Sequence, residues 1–201
     1  MDKFLYLEKP DWVSWSEVHD CLYKAHSVNR KKGLSMTNIA LNVEELKKKV
    51  GDGYCFVALD GKNVVGVACL KFFKPNRWWT KDKVAYTMLD GILPEYRGTD
   101  VFFGLEEIRN KYISNEGVRI RQCNTAENNK TVIRLCVRGG YKLVQYSATG
   151  KGSDYYSVIM VLWEDGCPYS DRFITFMYKL SKYIVKSIWK PGYKLRIAFW
   201  R

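Results

Sequence analysis

Residues 89–105 read LDGILPEYRGTDVFFGL. The run that leads into them, residues 84–93 (VAYTMLDGIL), is apolar and β-rich, so it reads as a strand that Pro94 ends. From Val101 onward Phe102, Leu105, Ile108 and Tyr112 recur at helical spacing, which predicts a helix over 101–115. The turn between strand and helix holds Arg97-Gly98-Thr99-Asp100. A helix start leaves backbone N–H groups without intrahelical partners and carries about half a positive charge, which suits a diphosphate. Glycines there would let phosphates come close to the backbone. Asp100 complements the helix dipole, yet it would repel a second anion. Phe102 adds bulk unless its ring turns into the core, as its place on the apolar stripe allows.

The pattern continues on both sides of this stretch. Trp15, Val18, Leu22 and Ala25 mark a helix over 12–28, which NRKKG closes at Gly33, and VEELKKKV (43–50) is a second, closed by Gly51. YCFVALDGKNVVGVACLKFF is two β-rich runs around Asp60-Gly61-Lys62-Asn63, a hairpin signal. After the crossover helix come a strand at 117–124, a short helix at 131–140 with a glycine end, and strands at 141–146 and 155–162. The strand–helix–strand passage from 84 to 124 requires a crossover, so those strands should be parallel neighbours, with the hairpin and the last pair antiparallel. An α/β (α+β) fold follows: a mixed, mostly antiparallel twisted sheet, helices on both faces, and a C-terminal basic helix. The expected division is a domain at 1–168 and an appended element at 169–201.

Composition narrows the function classes. The chain has 201 residues, 47% hydrophobic and 27% charged, which excludes wholesale disorder. No apolar run is long enough to span a membrane, and MDKFLYLEKPDW lacks a signal-peptide pattern, so a cytoplasmic protein is expected. Six scattered cysteines with no CxxC pair, beside two histidines, make no zinc set, and no metal is expected. Runs such as YCFVAL and GVACLKFF use cysteine as a small buried hydrophobe. The net charge of +12 is concentrated at the end: residues 169–201 carry eight Lys/Arg against Asp171, a balance of +7. There Phe173, Met177, Leu180, Ile184 and Ile188 form an apolar stripe beside Lys179, Lys182, Lys186 and Lys190. Pro191-Gly192 stops that helix, and the alternating YKLRIAFW suggests an extended end. A basic amphipathic helix with Trp189 either docks on its own domain or lies on an anionic membrane surface, peripheral to the inner face. Nucleic acid is not an expected partner, and the oligomeric state stays open, a dimer included.

The order of elements, LDGILPEYRG before the central helix, and NKTVIRLCVRGGYK after the next strand together resemble the GNAT N-acetyltransferase superfamily over roughly residues 12–165. The family's cofactor motif, Q/R-x-x-G-x-G/A, falls on Arg97, Gly98, Thr99, Asp100, Val101 and Phe102, and both later glycine positions differ. A second motif, N-x-x-A-x-x-L-Y-x-x-x-G-F/Y, falls on Asn129, Val132, Leu135, Cys136, Gly140 and Tyr141, with Cys136 where a tyrosine often protonates the departing thiolate. AHSVNRKKG and DYYSVIMVLWEDGCPYS look like a bacterial subgroup associated with capsular polysaccharide.

The resemblance implies acetyl-CoA as cofactor and a small-molecule amine as acceptor, an amino sugar for surface polysaccharide among them. It places the pantetheine arm along Gly91, Ile92 and Leu93, and the diphosphate at Arg97–Phe102 with Asn129 nearby. Asp90 is then a candidate base, or a residue that caps or bulges a strand end. Cys136 is a candidate acid or a buried helix cysteine. His26, with Asn29 three residues on, would border the acceptor pocket or serve structure alone. Trp78 and Trp79 in PNRWWTK either stack on a ligand ring or pack on their own sheet. The alternative to an enzyme is a GNAT-fold binding or scaffolding protein that no longer binds acetyl-CoA, motivated by Asp100, Phe102 and Cys136.

Overall fold

The computed structural model describes residues 3–27, 41–149 and 155–188. The chain runs β1 (Leu5–Glu8), α1 (Trp15–Ala25), α2 (Val43–Val50), β2 (Tyr54–Asp60), β3 (Asn63–Phe73), β4 (Val84–Ile92) and a 3-10 turn (Pro94–Tyr96). It continues through α3 (Val101–Asn115), β5 (Ile120–Ala126), α4 (Lys130–Arg138), β6 (Lys142–Thr149), β7 (Tyr155–Trp163) and α5 (Asp171–Ile188). The elements form two compact units, Met1–Phe72 with Ala85–Val118, and Phe73–Val84 with Arg119–Arg201. The helix stop expected at Asn29–Gly33, and Trp189, Pro191-Gly192 and the extended end expected after them, lie outside the described residues.

In the first unit the strands are ordered β1-β2-β3-β4. β2 and β3 form the expected hairpin, antiparallel from Tyr54↔Leu70 to Asp60↔Asn63. Its two-residue turn needs a left-handed residue, which Gly61 supplies at φ 59°. β1, which the sequence pattern did not reveal, pairs antiparallel with β2 from Leu5↔Leu59 to Glu8↔Phe56. Alternation along β2 builds two cores. Val57 and Leu59 pack with Val18, Leu22, Leu46 and Val50 of α1 and α2, whereas Phe56 and Ala58 pack with Val101, Leu105 and Ile113 of α3. Helices therefore cover both faces of these strands. Glycine makes α3's approach close: a Cβ on Gly66 would sit 2.7 Å from Val101 Cγ1.

In the second unit β7 lies between β5 and β6 and is antiparallel to both. Trp79, nearly inaccessible, packs with Val84, Ile120, Val144 and Trp163, and Trp78 packs against Tyr169 and Phe173. Both indoles of PNRWWTK thus serve this unit's own core. Helix α5 runs along β6, the edge strand. The Tyr146 N–H donates to Ser181 Oγ at 2.9 Å, and Ser181 Oγ–H donates to the Tyr178 carbonyl. A helix lies over an edge that would otherwise present unpaired backbone groups. The buried side of α5 is Ile174, Tyr178, Ser181 and Val185, not the stripe read from the sequence. No helix among the described residues is long and apolar enough to cross a membrane.

Candidate active site

β4 carries the backbone feature on which the site rests. Leu89 has φ 56°, the one non-glycine residue among those described in the left-handed region. A β-branch-free but Cβ-bearing residue held there costs on the order of 1–2 kcal/mol, so the surroundings must impose it. The consequence is visible in the side chains. Met88 and Leu89 are neighbours in sequence, yet both join the core beneath α1 and α2. Alternation fails at this point, as it does in a bulge, and a bulge leaves strand backbone outside the regular ladder.

Past the bulge, the strand end is gripped from both faces. On α3's side Asp90 Oδ1 accepts from Arg109 Nη1 at 2.7 Å, and Arg109, almost fully buried, also bonds Glu106. On α1's side Gly91 is buried where a Cβ would stand 2.9 Å from Leu22 Cδ2, 3.1 Å from Ala25 Cβ and 3.6 Å from His26 Nε2. His26 is the C-cap of α1. The structure therefore brings two predicted residues together, Gly91 and His26, while Asp90 is held on the opposite, α3, side of the strand. Leu93 N–H donates to the Val65 carbonyl at 3.0 Å, which keeps Ile92–Leu93 on the sheet.

The turn beyond is tied to the same helix. Arg97 Nη2–H donates to the Ala25 carbonyl at the end of α1, and Tyr96 Oη–H donates to Asp60 Oδ2 at 2.9 Å. Arg97 thus fastens the turn to α1, and Tyr96 fastens it to the hairpin. Gly98 takes φ 80°, and a Cβ there would meet nothing within 4 Å. Thr99 Oγ1–H donates to the Tyr96 carbonyl at 2.6 Å.

At the helix start Asp100 keeps the place that complements the dipole but forms no cap, and the expectation for Phe102 is corrected. Asp100 occupies the N-cap position with helical dihedrals (φ −71°, ψ −4°) and makes no side-chain capping bond. It does not stabilise the helix by capping, because a capping side chain reaches N2 or N3 from an extended backbone. Phe102 does not turn into the core. It is 52% exposed and meets Phe103 edge-on, because the buried stripe of α3 is Val101, Leu105, Arg109 and Ile113. Asp100 and Phe103 line an open groove of about 840 Å³ together with Lys3, Tyr6 and Lys111.

Asn129 and Cys136 belong to the second unit. Asn129 precedes α4 and donates Nδ2–H to Thr125 Oγ1 at 3.0 Å. Cys136, half-buried on α4, has its Sγ 3.7 Å from Cys123 Sγ on β5. Cys55 and Cys69 are buried as their apolar runs suggested, and Cys21 is buried too, which pushes its thiol up to about 12. Sequence reasoning missed Arg109 and Glu106. A lone Arg on a helix face gives no sign that its partner lies 19 residues earlier.

No family model and no curated protein matches this sequence. Solved structures do match the fold. An acetyltransferase from Streptococcus agalactiae aligns with TM-score 0.58 and 17% identity, over 81% of this chain and 99% of that one. The ribosomal-protein-S18-alanine N-acetyltransferase from Escherichia coli aligns with TM-score 0.59 and 12% identity, over 80% and 93%. A GNAT family acetyltransferase from Elizabethkingia anophelis, with acetyl-CoA bound, aligns with TM-score 0.56 and 8% identity, over 81% and 99%. The chain has the GNAT fold. Within the GNAT fold of this protein, the bulged β4 and the Gly98–Val101 helix start are consecutive features of one strand–turn–helix passage.

Proposed function

We propose that the protein is an acyltransferase that moves an acetyl group from acetyl-CoA to the amine of a small molecule, with an amino sugar of a surface polysaccharide as acceptor. The observation that carries this reading is the bulge at Leu89, on a strand that leads through one turn to the start of α3, where the Asp100 side chain makes no capping bond and Thr99 Oγ1 accepts the Val101 N–H at 3.5 Å. A bulge frees strand backbone for an amide-bearing ligand, and the first turn of a helix offers its remaining N–H donors to an anion. Pantetheine amides and a diphosphate, joined in one molecule, match those two features in order. The groove beside Asp100 and Phe103 leaves space at the helix start, and the Phe102 ring faces outward.

Acetyl-CoA would supply the activated thioester, and the rest is the work of this chain's residues. Gly91–Leu93 would hold the ligand's amides along the strand, with Asp90 fixed in place by Arg109. Gly98 and Thr99 would shape the turn around the diphosphate. His26 would take the proton of the incoming ammonium, since imidazole titrates nearest neutrality and its Nε2 lies beside Gly91. Returning a proton to the leaving thiolate is the role proposed for Cys136, and a part in the cofactor site for Asn129; both rest on the motif resemblance.

Titration calorimetry with acetyl-CoA, followed by thiol release with a panel of amino sugars, tests the proposal. Binding and turnover with at least one amine are expected, and absence of binding at millimolar cofactor overturns it. Asp100 motivates a second reading, a GNAT-fold binding module whose own carboxylate keeps diphosphates away. That reading expects no binding by the parent chain and binding by D100G/F102G.

A further inference from the structure

Helix α5 shows more apolar surface than its packing on β6 uses. Its inward side is fixed by several independent contacts. Ile174 and Ser181 are buried, and Ser181 accepts the Tyr146 N–H at 2.9 Å. Glu127 Oε1 accepts from Lys182 at 2.6 Å and from Lys186 at 3.4 Å, while its Oε2 accepts the Tyr146 hydroxyl. The helix cannot roll about its axis without breaking these bonds.

With that side fixed, Phe173, Phe176, Leu180 and Tyr183 fall on the outside. Their spacing of three, four and three residues makes one stripe along the helix. Phe176 is 59% and Tyr183 70% exposed, and only Phe173 is shared with the core, through Trp78 and Tyr169. Isolated exposed rings are ordinary, whereas a continuous exposed stripe marks an interaction surface.

Charge selects the occupant. Going round the helix, the sector beside the stripe holds Arg172 and Lys179. Asp171, the one acid of the helix, pairs with Lys142 at 2.9 Å. The thirteen residues that follow α5 add Lys190, Lys194, Arg196 and Arg201 and no acid. A second copy of the chain would bring this cationic sector against its own like, which costs energy. An anionic lipid surface offers hydrocarbon for the rings and negative headgroups for the flanking cations in one plane. We propose that the outward face of α5 seats this protein on an anionic membrane surface, with Phe176, Leu180 and Tyr183 inserted at the headgroup level.

Co-sedimentation of the full chain with phosphatidylcholine vesicles, with and without phosphatidylserine, tests this directly. Pelleting with the phosphatidylserine vesicles is expected, weakened by added salt and weaker with phosphatidylcholine alone. F176S/L180S/Y183S should lower vesicle affinity by roughly tenfold or more, from the loss of apolar insertion. These positions are exposed, so the melting temperature should stay near the parent's, and circular dichroism checks that. R172E/K179E should weaken binding to the anionic vesicles and leave the phosphatidylcholine level unchanged. Failure of the parent chain to pellet with anionic vesicles overturns the proposal, and so does undiminished pelleting of the folded triple variant. A dimer in sedimentation velocity that the triple substitution dissolves would assign the stripe to a second copy and also overturn it.

Discussion

The starts of α1 and α2 differ from the start of α3, although all three open on residues that favour the N-cap. Ser14 Oγ accepts the Glu17 N–H at 3.2 Å, and Glu17 returns a bond to the Ser14 N–H at 2.7 Å. Asn42 and Glu45 repeat this box, at 2.9 and 3.0 Å. Each box satisfies donors that the helix cannot satisfy itself. At α3 the residue in the same position is Asp100, as good an N-cap residue as any, and it makes no such bond. The difference is one of backbone: Ser14 and Asn42 are extended (ψ 154° and 175°), while Asp100 is already helical (ψ −4°). Helix starts that serve only stability close on themselves. At the start of α3 no such box forms: the Asp100 side chain makes no capping bond, Thr99 Oγ1 reaches only the Val101 N–H at 3.5 Å, and the strand before it is bulged at Leu89.

The strongest way to break this comparison is to disturb the strand end. G91V places its Cβ 3.1 Å from Ala25 Cβ, which cannot yield unless α1 moves, although the Leu22 methyl at 2.9 Å can swing aside. Overpacking of this kind costs about 1–3 kcal/mol. If β4 and the α3 start act together, displacement of the strand by a fraction of an ångström should lower kcat/KM by about 10²-fold. Thiol-release kinetics beside thermal melts measure both effects. Unchanged kinetics in a destabilised G91V would separate the strand from the chemistry.

R109L comes next. Arg109 is 3% exposed and joins Asp90 and Glu106, so its loss leaves two carboxylates side by side without their cation. Both carboxylates reach solvent, which moderates the cost to about 2–3 kcal/mol. R109K, keeping the charge without the planar fork, should fall between R109L and the parent in urea unfolding.

The pairing of Asp90 with Arg109 also shows what the sequence could and could not convey. The β2–β3 hairpin was legible because alternation and an Asp-Gly turn are local signals. The same holds for α1, and for α4 with its glycine end at Gly140, φ 89°. Strand β1 was not legible, since four residues with no flanking turn chemistry carry too little pattern. Within α3 the period was right, and of the predicted stripe Leu105 is core and Ile108 and Tyr112 pack against it, while Phe102 is exposed. What the pattern did not show is that Arg109, a charged residue, holds a fully buried place because its partners come from β4 and its own helix. Of the candidate site, the resemblance pointed to the strand, the turn and His26. The left-handed Leu89 and the Arg97 bond to α1 are tertiary consequences that no local spacing encodes.

The second unit supplies a contrast in pH response. Partial burial pushes the Glu127 carboxyl up, but bonds from Lys182 and Tyr146 outweigh it and hold its pKa at about 2, below the ordinary 4.5. A depressed folded value means stability that is present above about 4.5 and lost as the pH falls toward 2. Allowing for solvent screening, the contribution is about 1–2 kcal/mol. Melting temperature should therefore fall between those pH values in the parent and fall less in E127Q, which is already weaker at neutral pH. An equal acid response in both proteins would place the titrating group elsewhere.

The smallest effects return to the helix starts and test the comparison most directly. S14A removes a capping acceptor and should cost about 1 kcal/mol, as such caps do. D100A removes a side chain that caps nothing, so its effect on stability should lie within about 0.5 kcal/mol of zero. Its effect on ligand should have the opposite sign to a cap's. Taking a carboxylate from beside the first-turn N–H groups removes repulsion of a diphosphate, and acetyl-CoA should bind tighter, the more so at low salt. Calorimetric titration of D100A at two ionic strengths, beside urea unfolding of both variants, measures this. If D100A costs as much stability as S14A, the start of α3 is an ordinary capped terminus, and an anion there would have to displace its own carboxylate.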